Sequence, residues 1–248
     1  MDTSKKSRLY ARAPIVEAII DFRVRQNPAV SLNVLRDGFR EEARKYTQML
    51  ESVEIVTELK LDGGETTVKT PVGFMYRSER TPYVLQTQLK GFTLSRLAPY
   101  EKWSLFLAEA QRLWAIYRQV ASPLGMERLA VRYMNRFDLS LPVLDLARFF
   151  TVRPEAPEGG LGGTTTAFLL QLRLSINEPN AQLVLNQALV PAQKKDHLGI
   201  LLDLDSFQTR DGDQLEDESL WGLIDRLHDK VEETFEACIT EETRRLIQ

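Results

Sequence analysis

The sequence predicts an α+β protein of two pseudo-repeated β-α-βββ-α units, residues 1–122 and 123–248, with antiparallel sheets packed against long amphipathic helices. Three observations support this. Residues 101–120 place Trp103, Phe106, Leu107, Ala110, Leu113, Trp114 and Tyr117 on one helical stripe, with charges opposite. A similar order of strand-like and helix-like stretches returns after Ser122-Pro-Leu-Gly125. Finally, Leu89-Lys-Gly-Phe92, a loop and Trp103 are matched by Leu204-Asp-Ser-Phe207, a loop and Trp221. The phenylalanines are 115 residues apart and the tryptophans 118, a difference that one three-residue insertion reconciles. The units either fold separately or form one continuous domain.

Pro14 to Val24 is rich in β-branched residues and reads as a strand. Ser31 can cap a helix through Met49 that carries Leu32, Leu35, Phe39, Ala43 and Tyr46 on one face. Val53–Leu61, the turn Asp62-Gly-Gly64, Thr66–Arg77 and Tyr83–Leu97 suggest an antiparallel meander. Met126–Leu139 returns to strand alternation. A short helix at Val143–Phe150 follows, then strands at Thr165–Ile176, Ala181–Val190 and Leu198–Phe207, and a helix from Leu215. Leu220, Ile224, Leu227, Val231, Phe235 and Cys238 form one stripe of that helix, which either runs to Gln248 or breaks at Ile239-Thr240. Unbroken, it would project beyond the domain, with Leu220, Ile224, Val231 and Phe235 as a partner interface.

At 248 residues, 43% hydrophobic and 27% charged, the chain can bury a core without disulfides or metals. The polar start, Met1 to Arg8, precedes no signal-like apolar run, and no stretch is long and apolar enough to span a membrane. With Cys238 the single cysteine, an internal disulfide and a thiolate-rich metal site are excluded, so a cytoplasmic location is expected. The net charge of -3 divides into +5 for residues 1–122 and -8 for residues 123–248. A basic first half can meet an anion, whereas the acidic second half argues against a nucleic-acid coat.

The strand at Met126–Leu139 separates Leu129, Val131, Tyr133 and Phe137 from Arg128, Arg132, Arg136 and Asp138. Guanidinium groups along one face suit bidentate capture of phosphate-like anions. Lys90 and Arg173 on other strands would complete such a ligand site, alongside Gln86, Gln88 and Gln171; the alternative is a solvent-facing or ion-paired strand. Asp203-Leu-Asp205 and Asp211-Gly-Asp213 lack calcium-loop spacing and read as strand-end and turn aspartates. Gly159–Gly163 precedes a strand and lacks the Lys-Ser/Thr of a phosphate loop. Neither histidine, His197 or His228, falls in a zinc or triad motif. No catalytic residue, cofactor or metal is therefore expected.

Together, Ala13-Pro-Ile-Val-Glu-Ala-Ile-Ile-Asp-Phe-Arg23, Arg128-Leu-Ala-Val-Arg-Tyr-Met-Asn-Arg136 and the Trp221 helix resemble an uncharacterised, sporadically distributed bacterial family of similar length. The resemblance implies a bacterial source and a mobile-element or defence-related gene context. The expected function is non-enzymatic binding or assembly through a protein partner or a second copy. The alternatives are binding or processing of an anionic ligand at the arginines, and nucleic-acid binding across a duplicated sheet.

Overall fold

The computed structural model describes residues 8, 10–59, 65–141, 145–155, 165–212 and 217–248. The start before Arg8, the Asp62-Gly-Gly64 turn, Val143, Gly159–Gly163, Asp213 and Leu215 lie outside them. Strand β1 (Ile15–Arg25) leads to α1 (Leu32–Gly38) and α2 (Arg40–Ala43). Next come β2 (Gln48–Leu59), β3 (Glu65–Arg77), β4 (Tyr83–Gln88), β5 (Gly91–Leu97) and α3 (Trp103–Ala121). The remainder is β6 (Gly125–Ser140), a 3-10 turn at Leu146–Arg148, β7 (Leu169–Ile176), β8 (Ala181–Val190), β9 (His197–Gly212), α4 (Asp217–Cys238) and α5 (Glu241–Ile247).

The nine strands among the described residues form a single antiparallel sheet, ordered β2-β3-β4-β5-β1-β6-β9-β8-β7. This corrects the expected pair of β-α-βββ-α units. The 83–97 segment is two strands folded at Leu89-Lys90, so four strands follow the first helices. In the second half the expected helix between strands is only the 3-10 turn. The matched tryptophans are not equivalent either: Trp103 opens α3 and stacks on His228, whereas Trp221 packs edge-on against Phe22. What joins the halves is β1 on β6, with Ile20 opposite Val131 and Phe22 opposite Leu129.

Alternation along these strands sends one row of side chains to the helices. Ala18, Ile20, Phe22 and Val24 of β1, Leu129, Val131 and Tyr133 of β6, and Ile200, Leu202 and Leu204 of β9 are buried there. Phe22 lies where α3 and α4 meet, 4.6 Å from Trp114 and 5.6 Å from Trp221. Edge-to-face contact at these distances adds to the burial of the rings.

The helix expected from Ser31 to Met49 stops at Ala43, and Gln48 already belongs to β2. Ser31 does cap α1, accepting from the Val34 amide. Gly38 ends α1, and a Cβ there would lie 2.4 Å from Val120 of α3, so the glycine permits the close helix contact. Of the two courses expected for the final helix, the break at Ile239-Thr240 is the one found. Cys238 ends α4, Ile239 bridges Phe150, and Thr240 caps α5 by accepting from Thr243. The expected partner interface is internal: Leu220, Ile224 and Val231 are buried, and Phe235 packs partly buried against the core, because α4 lies on β6 and β9. Exposed apolar side chains are found instead on β2 and β3 (Val53, Ile55, Val56, Val68) and on β7 (Leu169, Leu172, Leu174).

Gly73 sits where β3 meets the end of β4, and a Cβ there would come within 2.2 Å of the Thr87 carbonyl oxygen. Gly73→Ala is expected to cost about 1–3 kcal/mol through backbone displacement. Gly222, within α4, has only a flexible Arg226 atom at 3.6 Å, so Gly222→Ala should stabilise by roughly 0.5–1 kcal/mol. In urea unfolding the two midpoints should move in opposite directions.

Candidate functional site

The arginine row of β6 lies on the sheet face opposite the helices, and acidic neighbours already engage it. Arg128 donates to Asp21 Oδ2 at 3.1 Å and Asp205 Oδ2 at 2.7 Å, with its guanidinium 4.5 Å from the Phe207 ring centre. Arg132 grips Asp203 through two 2.7 Å hydrogen bonds, and Asn186 donates to the same carboxylate. Arg136 donates to Asp138 and to the Pro191 carbonyl oxygen. Asp205 has its pKa raised by burial, against the lowering influence of Arg128 and Arg132. Asp203-Leu-Asp205 is thus a mid-strand counter-charge for the arginines, not a strand end.

Arg173 and Lys90 do not join this cluster. Arg173 lies opposite Val184, Val184 opposite Asp205 and Asp205 opposite Arg132, so β7 stands three strands from β6, roughly 14 Å at 4.8 Å per strand. Lys90 occupies the β4–β5 turn beside Val24 and Arg25. The expected anion cleft is therefore replaced by an ion-paired face with distant outliers. Among the described residues, no group of three or more His, Cys, Asp or Glu is arranged to hold a metal.

The helix side of the sheet holds a groove of about 1260 Å³. Its floor includes Tyr133 and Asn135 of β6 and Ile15 of β1; its walls are the start of α3 and the flank of α4, with Tyr10 and Arg244 near one end. Asn135 is buried and donates to the Leu202 carbonyl oxygen at 3.2 Å. The break after Cys238 brings α5 back beside the N-terminal segment, where the Arg12 amide donates to the Ile247 carbonyl oxygen. There Glu236 accepts from Tyr10 and Arg244.

At the other end Trp103 stacks on His228, with ring centres 4.0 Å apart and 14° between planes, and donates through Nε1 to Asp225. Tyr133 meets the same imidazole edge-on at 5.8 Å, and its hydroxyl is 2.9 Å from that of Tyr100. Burial pushes the Tyr100 and Tyr133 hydroxyls well above their ordinary pKa. His228 is only 5% exposed. Its Nε2 lies 3.3 Å from Glu232 Oε1, and its Nδ1 3.5 Å from Asp229 Oδ1. Burial alone would lower the His228 pKa; Asp229 and Glu232 outweigh it and raise it above the usual value.

Among the described residues, seven carboxylates line the groove against three basic side chains, Arg8, Lys102 and Arg244. A signal for this was present in the sequence: Asp225, Asp229, Glu232 and Glu236 recur at helical spacing beside the apolar stripe of α4. What the spacing alone could not show is that this flank faces Trp103. No protein-family model and no curated protein matches the chain.

Two measurements test this description. Arg132→Ala leaves Asp203, whose side chain is 4% exposed, without its counter-ion and should cost on the order of 3 kcal/mol. Adding Asp203→Asn should restore most of that loss in chemical unfolding. Because the His228 pKa is raised in the folded state, its contribution should be fully present below about pH 6.5 and be lost as pH rises through the folded value. His228→Gln should flatten the dependence of unfolding free energy on pH between about 6 and 8.

Proposed function

We propose that this chain is a non-enzymatic binding protein that holds a segment of a protein partner in the groove between α3 and α4. The groove itself carries this reading: it combines aromatic walls with a few buried polar groups on its floor, the usual make-up of a recognition site. Its volume of about 1260 Å³ exceeds the roughly 300–1,000 Å³ of small-molecule pockets, which favours a length of chain as the occupant. Nucleophilic chemistry has little support, since the Cys238 thiol is buried and its pKa is pushed up to about 11. The ion-paired arginines likewise give little support to capture of anions or nucleic acid. A cytoplasmic setting, and the bacterial mobile-element or defence context implied by the resemblance, belong to the same reading.

Ser104 is exposed at the groove wall, so a tryptophan there should obstruct the groove without disturbing the core. Peptides selected from a random display library on the wild-type protein should bind Ser104→Trp at least about tenfold more weakly, or ~1.4 kcal/mol. Equal affinity for both proteins would overturn the proposal.

A further inference from the structure

We infer that two copies of this chain join edge to edge through β7, antiparallel about a two-fold axis at Leu172, so that their sheets continue into one another. The two edges of the sheet differ. At β2 the register against β3 shifts between Ser52 and Val53, and Glu51 and Glu54 are exposed. A bulge and like charges both oppose strand addition. At the other edge β7 keeps unbroken register with β8 from Leu169 to Ile176. Among the described residues β8 is its only neighbouring strand, which leaves the outward N–H and C=O groups of β7 without a strand partner there. Five of its eight residues are leucine or isoleucine, and Arg173 is its single charge. Leu169, Leu172 and Leu174 are 75%, 36% and 45% exposed. An edge of this kind is a template for a further strand.

The side-chain pattern of β7 is complementary to itself. An axis at Leu172, near the middle of the strand, sets Leu170 opposite Leu174 of the second copy and Leu172 opposite its own counterpart. These leucines extend a row that is buried further in, where Leu172 lies opposite Leu185 and Leu185 opposite Leu204. On the other face Gln171 meets Arg173 of the second copy, and Arg173 meets its Gln171. An axis at Arg173 would instead set two arginines face to face.

Hydrogen bonding on that face independently marks the edge as unfinished. Arg132 grips Asp203, and because a carboxylate only accepts, Asn186 must turn its Nδ2 toward Asp203 and its Oδ1 toward Gln171 Nε2, at 2.7 Å. Gln171 Oε1 is left as the acceptor where this chain of bonds reaches the edge. Arg173, exposed two residues on, has no ion pair among the described residues. Two-fold pairing brings each Arg173 to the other copy's Gln171, so the donor that one edge needs is supplied by the other. It also covers the exposed leucines of both copies. An unrelated strand could satisfy the backbone, but it would have to reproduce both the leucine row and this donor and acceptor in reverse order.

Sedimentation equilibrium at micromolar concentration should find a dimer. Gln171→Arg sets arginine opposite arginine and should weaken that dimer at least about tenfold, and Gln171→Arg/Arg173→Glu should restore it. Both positions are exposed, so neither change burdens the core. Disulfide trapping tests the axis, with the buried Cys238 the only native thiol. Leu172→Cys should cross-link two copies under mild oxidation, because residues facing each other on antiparallel strands have Cα atoms about 4.5–5.5 Å apart. Leu170→Cys should not, since its two copies would stand roughly 14 Å apart at 3.4 Å per residue. A strict monomer, a dimer indifferent to Gln171→Arg, or equal cross-linking at both positions would overturn the inference. So would assemblies larger than a dimer, because an edge that pairs with its own copy closes after two.

Discussion

The antiparallel pairing of β1 with β6 is the constraint on which the rest of the molecule depends. Ten register positions, from Ile15 opposite Asn135 to Arg25 opposite Gly125, join segments far apart in sequence at the middle of the sheet. Hairpins extend the sheet outward on both sides, through β5 to β2 and through β9 to β7. Because β1 and β6 are central, both of their faces must be served by other parts of the chain. One face receives Phe22 between Trp114 and Trp221, and with it α3 and α4. Without that central pairing, neither helix would have a complete surface to lie on.

The opposite face carries no helix among the described residues and is settled by charge. Arg128 and Arg132 on β6 are met by Asp21 on β1 and Asp203 and Asp205 on β9, the two strands that flank it. Buried carboxylates such as Asp203 are tolerable because bidentate hydrogen bonds replace lost water. The same bonds occupy the donors that a phosphate would need. A row of arginines on a strand therefore signals an anion site only when the neighbouring strands do not answer it, and that depends on register.

The groove follows from the same architecture. α3 lies over the first half of the sheet and α4 over β6 and β9, so the space between them opens above Tyr133 and Asn135. The Trp103–His228 stack bridges it at one end and the returning α5 closes toward the other. α4 thus has two working faces, an apolar stripe fixed to the sheet and an acidic flank turned to the groove. Leu220, Ile224 and Val231 belong to the first, Asp225, Asp229 and Glu232 to the second.

By itself the sequence determined the α+β class, the α3 stripe, the Ser31 cap, the alternation of β6 and the apolar side of α4. Each is set by neighbours within a few residues, through helical or strand periodicity. Only the tertiary structure decided that nine strands make one sheet, that the helix from Ser31 ends at Ala43, and that α4 stops at Cys238 so that α5 can return. It also decided that Arg132 faces Asp203 and that His228 faces Trp103, residues 71 and 125 positions apart. Periodicity states which side of an element a residue occupies. Which element lies against that side is fixed by long-range pairing and packing, and both the silencing of the arginine row and the opening of the acidic groove are consequences at that level.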